Sequence, residues 1–130
     1  MSSPGKLHYM ILCDRVTVSQ GKKSLHGIFT RIAAMRFPCI HPSCALAIEA
    51  SCSQDKHKLK LRVVDSGGED ILPMPPAIEL ENRNPMGIVN FDITLEGLRF
   101  TRPGIYSFQV SMDEVLIGVR DFFVERMDPE

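Results

Sequence analysis

Along most of this chain polar and apolar residues alternate one for one. In KLKLRVVD, Leu59, Leu61 and Val63 share one face and Lys58, Lys60 and Arg62 the other. In IVNFDITL, Val89, Phe91, Ile93 and Leu95 point one way, with Asn90, Asp92 and Thr94 opposite. In IYSFQVSM the inward set is Tyr106, Phe108, Val110 and Met112, with Ser107, Gln109 and Ser111 outward. A period of two is the signature of a strand with one face buried and one face wet, the usual state of antiparallel sheets. No window of a dozen residues carries the 3.6-residue stripe of a helix.

Turn-forming clusters punctuate these runs at short intervals: SQGKKS (19–24), FPCIHPS (37–43), SQDK (53–56), SGGED (66–70), NRNPMG (82–87), TRPG (101–104) and MDEV (112–115). They predict about eight strands, near 6–18, 24–36, 44–53, 57–65, 77–82, 88–98, 105–112 and 115–125. The fold class expected is all-β: a single antiparallel β-sandwich, immunoglobulin-like or related. It forms one domain over residues 1–130, with 1–5 a flexible N-terminus.

Two hairpins follow from the turns. With SQDK as a turn, Glu49 faces Lys60, Ile48 faces Leu61 and Ala50 faces Leu59, so like meets like on one face and opposite charges meet on the other. With Asp113 and Glu114 as a turn, Val110 meets Ile117 and Phe108 meets Val119. That register sets Tyr106 against Asp121, and a bulge near Arg120 or Asp121 would restore the alternation. Phe122 and Phe123 are consecutive, so one ring must leave the core.

The composition adds little that is specific. Of 130 residues, 44% are hydrophobic and 24% charged, which is ordinary for a folded domain of this size, and the net charge of −1 offers no bulk attraction to phosphate backbones. No apolar run approaches the length of a membrane span, and MSSPGKLHYMILCDR reads as a strand rather than a signal peptide. Four cysteines without an export signal point to a reducing, cytoplasmic setting with free thiols.

The chemistry-bearing candidate is Cys39-x-His41-x2-Cys44, which supplies three residues of zinc-ligand type. In CALAIEASC, however, Cys44, Leu46, Ile48, Ala50 and Cys52 share one face, and Leu7, Tyr9, Ile11 and Cys13 line up in the first strand. Free cysteine packs as a small hydrophobe, so the sulfurs read as core atoms and 37–44 as a proline-stiffened bend. No metal and no cofactor are expected. The histidines are scattered and no nucleophile, zincin or phosphate-loop motif occurs, so no catalytic residue is assigned and the chain is not expected to be an enzyme. Lys56, Lys58, Lys60 and Arg62 form a basic stripe without aromatic companions, and Glu79 and Glu81 a solvated acidic pair.

The stretch ILPMPPAIELENRNPMG (71–87) carries four prolines and two methionines; it suits a docking edge with Met74, Pro75, Pro76 and Met86, or a cap over the end of the core. YMILCDRVTVSQGKKSLHGIFTRI, followed closely by FP, and LRFTRPGIYSFQVSMDEVLIG near the end resemble a family of small bacterial all-β proteins without an assigned activity. The resemblance spans nearly the whole chain and implies no catalytic or ligand residue. The function expected is a non-catalytic binding or assembly module working through protein contacts. Its candidate binding residues are Met74, Pro75, Pro76, Met86, Phe122 and Phe123. The expected partner is a protein or a second copy, with no nucleic acid and no membrane. The alternative is a small-molecule- or metal-binding sandwich with its site near the 37–44 connection.

Overall fold

The computed structural model describes residues 3–72 and 75–128. Among them nine strands run β1 (Gly5–Ser19), β2 (Lys22–Ile28), β3 (Arg31–Ala34), β4 (Cys39–Cys52), β5 (Lys56–Val64), β6 (Ala77–Glu81), β7 (Ile88–Phe100), β8 (Gly104–Met112) and β9 (Val115–Arg126). They form a four-stranded sheet in the order β2-β1-β4-β7 and a five-stranded sheet in the order β3-β9-β8-β5-β6. All pairings are antiparallel except β3 with β9, which is parallel. The all-antiparallel expectation is corrected there.

The core lies between the two sheets. Met10, Leu12, Leu46, Ile48, Ile93 and Leu95 face it from one side, and Leu61, Val63, Phe108, Val110, Phe122 and Val124 from the other. The alternation expected for β5, β7 and β8 holds, since Leu59, Leu61, Val63, Ile93, Leu95, Tyr106, Phe108, Val110 and Met112 are all buried. Phe100, Tyr106, Phe108 and Phe122 form one aromatic cluster, with Phe122 stacked on Phe108 at 4.7 Å and on Tyr106 at 5.8 Å between ring centres. At the start of β8 the Tyr106 hydroxyl donates to the Arg102 carbonyl (2.6 Å), pinning the corner by which the chain crosses from β7 into the other sheet.

Four expected features are placed differently. The segment 24–36 is two strands in different sheets, parted at Phe29 and Thr30, where the chain crosses over. The SQDK connection is also a crossing. Because β4 pairs with β1 and β7, Glu49 lies opposite Tyr9 and Asn90, while Lys60 lies opposite Ala77 and Ser111.

In β1 an irregularity between Leu7 and Tyr9 inverts the faces. Leu7 therefore packs against the core with Met10 and Leu12, and Tyr9, Ile11 and Cys13 turn to the outer face. Cys13 is nevertheless fully buried, with Ala45 and Ala47 beside it. The β1–β2 arm bends over this face, so that Lys23 reaches Asp92 on β7 at 2.9 Å. Small side chains are what such a close approach requires.

In the last hairpin the bulge exists but sits at Ile117, between the pairs Val110–Gly118 and Ser111–Leu116. Tyr106 thereby meets Phe122, and Phe108 meets Arg120. Arg120 is thereby turned inward, half-buried, with its Nε buried and without a hydrogen-bond partner among the described residues.

Candidate functional site

The bend expected at 37–44 is mostly strand, for β4 begins at Cys39. Pairing of β1 with β4 stops at Cys13–Ala45, whereas β7 follows β4 out to Cys39–Phe100. Residues 39–43 thus have a neighbour on one side only, which is where a proline such as Pro42 fits a strand. Gly97, with φ of +67°, lies between the paired residues Glu96 and Leu98 opposite Pro42, and both strands switch faces there. Cys39 packs against the core, Cys44 lies within it, and His41 lies against Phe29 at 5.7 Å between ring centres. Burial pushes the Cys44 thiol up to about 11, with smaller contributions from Cys13 and Asp14. Among the described residues no three His, Cys, Asp or Glu side chains gather as metal ligands.

At the opposite end of β4 three connections meet: 53–55 between β4 and β5, 82–87 between β6 and β7, and the 113–114 turn between β8 and β9. Asp113 and Glu114 both have positive φ (51° and 70°), the conformation of a two-residue hairpin whose twist matches its strands. Asp113 and the start of β5 are tied twice, once backbone to backbone and once through the Asp113 carboxylate. Asp113 N–H donates to Lys58 O (2.8 Å), and Lys58 N–H donates to Asp113 Oδ1 (2.9 Å).

His57 joins all this to the first connection. Its side chain is only 5% exposed; Nδ1 lies 2.7 Å from Asp113 Oδ2 and Nε2 lies 2.9 Å from the Ser53 carbonyl. Neither a carboxylate nor a carbonyl can donate, so both ring nitrogens carry protons in this geometry. Burial opposes the charged ring. The Asp113 hydrogen bond, the Ser53 carbonyl and the charges of Asp113 and Asp55 outweigh it, so the imidazole stays protonated above the ordinary histidine range. Asp113 moves the other way, held below the usual carboxylate range first by the Lys58 N–H and then by His57.

Ser53 Oγ is 3.2 Å from Nε2, which completes a serine–histidine–aspartate row. Activating a serine needs a lone pair on Nε2. Here that nitrogen already donates to the serine's own carbonyl, so the protonated ring clamps two connections rather than taking a proton from Ser53.

The third connection is held by Asn82, which is 3% exposed. Its Nδ2 donates to Cys52 O (3.0 Å), its N–H donates to Asp55 O (2.9 Å), and its Oδ1 accepts from Asn84 N–H (3.0 Å). Asn84 Oδ1 in turn accepts from Met86 N–H (2.8 Å), and Gln54 Nε2 donates to Asn84 O (2.8 Å). Asn82→Ala removes one side chain and leaves the part-buried Cys52 carbonyl and Asn84 N–H without these hydrogen bonds. Its expected cost is about 1–3 kcal/mol, read as a shift in urea midpoint at constant slope.

Met86 stands at the tip of this braced end, 77% exposed. Of the other expected binding residues, Pro75 and Pro76 are half-buried, and the Pro76 carbonyl accepts from Leu61 N–H (3.0 Å), extending the β5 ladder. Ile71 and Leu72 pack against the core, so the first part of 71–87 caps it while Met86 projects. Met74 lies outside the described residues. Phe122 is buried and Phe123 is the outward ring, 41% exposed and opposite Ile105. Beside the braced end runs an open groove of about 440 Å³. There Lys56 and Lys58 stand opposite Glu81 and Glu79 in register, so half of the basic stripe has acidic neighbours across the β5–β6 pair. The sequence marks Asp113 only as a turn residue and gives no sign of the roles of His57 and Asn82, because each contact depends on strands far apart in sequence meeting at one end.

Residues 8–125 match the model of DUF6941, a family of unknown function, in keeping with the expected resemblance to a group lacking an assigned activity. No curated protein matches the sequence. Among solved structures, an alkylpurine DNA glycosylase of Pseudomonas fluorescens, bound to DNA containing an abasic-site analogue, is similar with a TM-score of 0.51 and 12% identity. The likeness covers 96% of this chain and 31% of the glycosylase, so the chain spans about a third of that protein. At that identity the likeness shows the fold alone. It does overturn two expectations, that the chain is not an enzyme and that nucleic acid is not among its partners, because the fold occurs within a DNA-bound enzyme. Among the described residues no helix is long and apolar enough to cross a membrane.

Proposed function

The chain belongs to the DUF6941 family, and we propose that it is a binding module that engages another protein through its braced loop end, with Met86 as the anchor. The observation that carries this reading is the pairing of an exposed apolar side chain with a fixed backbone. Met86 is 77% exposed, yet its N–H is held by Asn84, which Asn82 ties to the half-buried Cys52 carbonyl. Ordering a loop on association is costly, and an anchor already held in place avoids that cost. Methionine suits the role because its flexible thioether adapts to varied apolar surfaces.

The finer fold assignment belongs to the same reading. An immunoglobulin-like sandwich is supported by the order β9-β8-β5-β6 facing β4-β7, and by the tyrosine corner that Tyr106 makes at the start of β8. In that frame the braced end corresponds to the end at which immunoglobulin variable domains present their binding loops. The four free cysteines favour a reducing, cytoplasmic location.

The test is a photo-crosslinking amino acid placed at position 86 in cells, with position 20, in the β1–β2 turn, as the control. The expected result is a discrete protein adduct at 86 and none at 20. Crosslinks to nucleic acid from 86, or the same adducts from both positions, would overturn the reading.

A further inference from the structure

At the far end of β4 from Met86, where β1 and β4 part, lies an open hollow of about 390 Å³. Its walls include Asp14, Gly27, Phe29, Arg31, Ile32 and His41. The geometry of the fork explains why it exists. Beyond Cys13, β1 stays with β2 and leaves β4, and Gly27, with φ of +69°, sits against the Asp14 carboxylate so closely that a Cβ there would overlap it. The chain then crosses to the other sheet, with Phe29 N–H donating to Leu12 O (3.0 Å), which places the Phe29 ring beside His41.

His41 Nε2 is buried and has no hydrogen-bond partner among the described residues. Leaving such a group unpaired is costly, so a buried orphan of this kind asks for an explanation. Two charges of opposite sign complete the lining. Arg31 is 68% exposed at its side chain and is ion-paired with Glu125 through Nε at 3.5 Å, a partner that a ligand carboxylate would share or displace. Asp14 is exposed, and its carboxylate makes no hydrogen bond among the described residues.

We propose that this hollow is a binding site for a free α-amino acid with a hydrogen-bonding side chain. Its carboxylate is taken by Arg31, the group that grips planar oxyanions in a fork. Its ammonium goes to Asp14, and its side chain passes between Phe29 and Ile32 to meet His41 Nε2. The volume lies at the small end of the range for ligand pockets, and an apolar wall with a few convergent polar groups is their usual construction. An anion alone would meet Asp14 and a cation alone would meet Arg31, so a ligand carrying both charges is favoured. This site stands independently of the proposed role of Met86.

The experiment follows the His41 ring signals of the whole chain by NMR during titration with L-glutamine, whose amide can donate or accept at Nε2. Sodium acetate and ammonium chloride are the controls. A saturable shift with Kd at or below about 1 mM is expected, weakened at least about tenfold in Arg31→Ala and in Asp14→Ala. Both replaced side chains are exposed, and an unchanged amide spectrum elsewhere confirms the fold of each variant. Absence of a saturable shift, an equal response to acetate alone, or unaltered binding by either variant would overturn the proposal.

Discussion

Phe122→Ala is expected to cost about 3–5 kcal/mol, whereas Phe123→Ala, one residue along, costs well under about 1 kcal/mol. The difference comes from which face each ring occupies. Phe122 is 3% exposed and touches Phe100, Tyr106 and Phe108, so its removal opens a hole in the middle of the aromatic cluster that stiff neighbours cannot fill. Phe123 lies opposite Ile105 on the outer face and is 41% exposed. The contrast depends on the bulge at Ile117, because without it Asp121 would oppose Tyr106 and the two rings would exchange roles. Urea denaturation of both variants, compared through midpoint and slope, reads the effect directly. Equal losses would place the bulge elsewhere.

Asp113→Asn is expected to lower stability by about 1–2 kcal/mol near pH 6, a range already reduced for an acceptor that is partly exposed. It should also flatten the pH profile above that point. Asparagine tolerates positive φ as aspartate does, so the turn survives and the change isolates the charge. The sign follows from the direction of the two shifts. His57 is raised above its unfolded value, so its contribution is complete below the ordinary histidine pKa and is lost as pH rises through the folded value. Asp113 is lowered, so its contribution is present above the ordinary aspartate pKa and is lost as pH falls through its folded value. The braced end is therefore most secure in mildly acidic solution, between the two transitions. Thermal unfolding of both proteins across that range should draw closer together at high pH, where His57 is neutral in each and only the Lys58 N–H still favours a carboxylate over an amide.

Much of this architecture was legible in the sequence because burial on one face writes itself into strict alternation. β5, β7 and β8 are read correctly to the residue face for that reason. The first strand was not, since LHYMILC is apolar on both parities and gives no sign that the faces invert between Leu7 and Tyr9. Its outer face is apolar because the β1–β2 arm folds over it, and no local pattern announces such a cover. On the sequence pattern Pro38 reads as a strand terminator and Pro42 as stiffening a bend before the next strand. Pro42 is compatible with a strand that has lost one neighbour, and that loss is a property of β1, not of residues 39–43. SQDK looks like a hairpin turn with matching charges on either side, yet 53–55 carries the chain between sheets.

The braced end itself was half visible. Met86 could be singled out from its proline-rich surroundings, and an Asp-Glu turn at 113–114 could be placed. That His57 would meet Asp113, 56 residues away, could not, because the contact exists only once β5 and β8 are neighbours. Asn82 is the same kind of case, as its partners lie in β4 and in the connection that follows it. Satisfying buried polar groups is a global constraint, and a single sequence records it only faintly.

The proposed role of the loop end stands on a braced backbone, in which Asn82 and Gln54 tie 82–87 to 53–55 and a charged His57 ties 53–55 to the 113–114 turn. Following the His57 ring by NMR through a pH titration tests this most directly. The titration midpoint should lie above the ordinary histidine value, with both ring N–H groups protected from exchange in acid solution. A midpoint at or below that value, or a ring whose Nε2 remains unprotonated in mildly acidic solution, would contradict it.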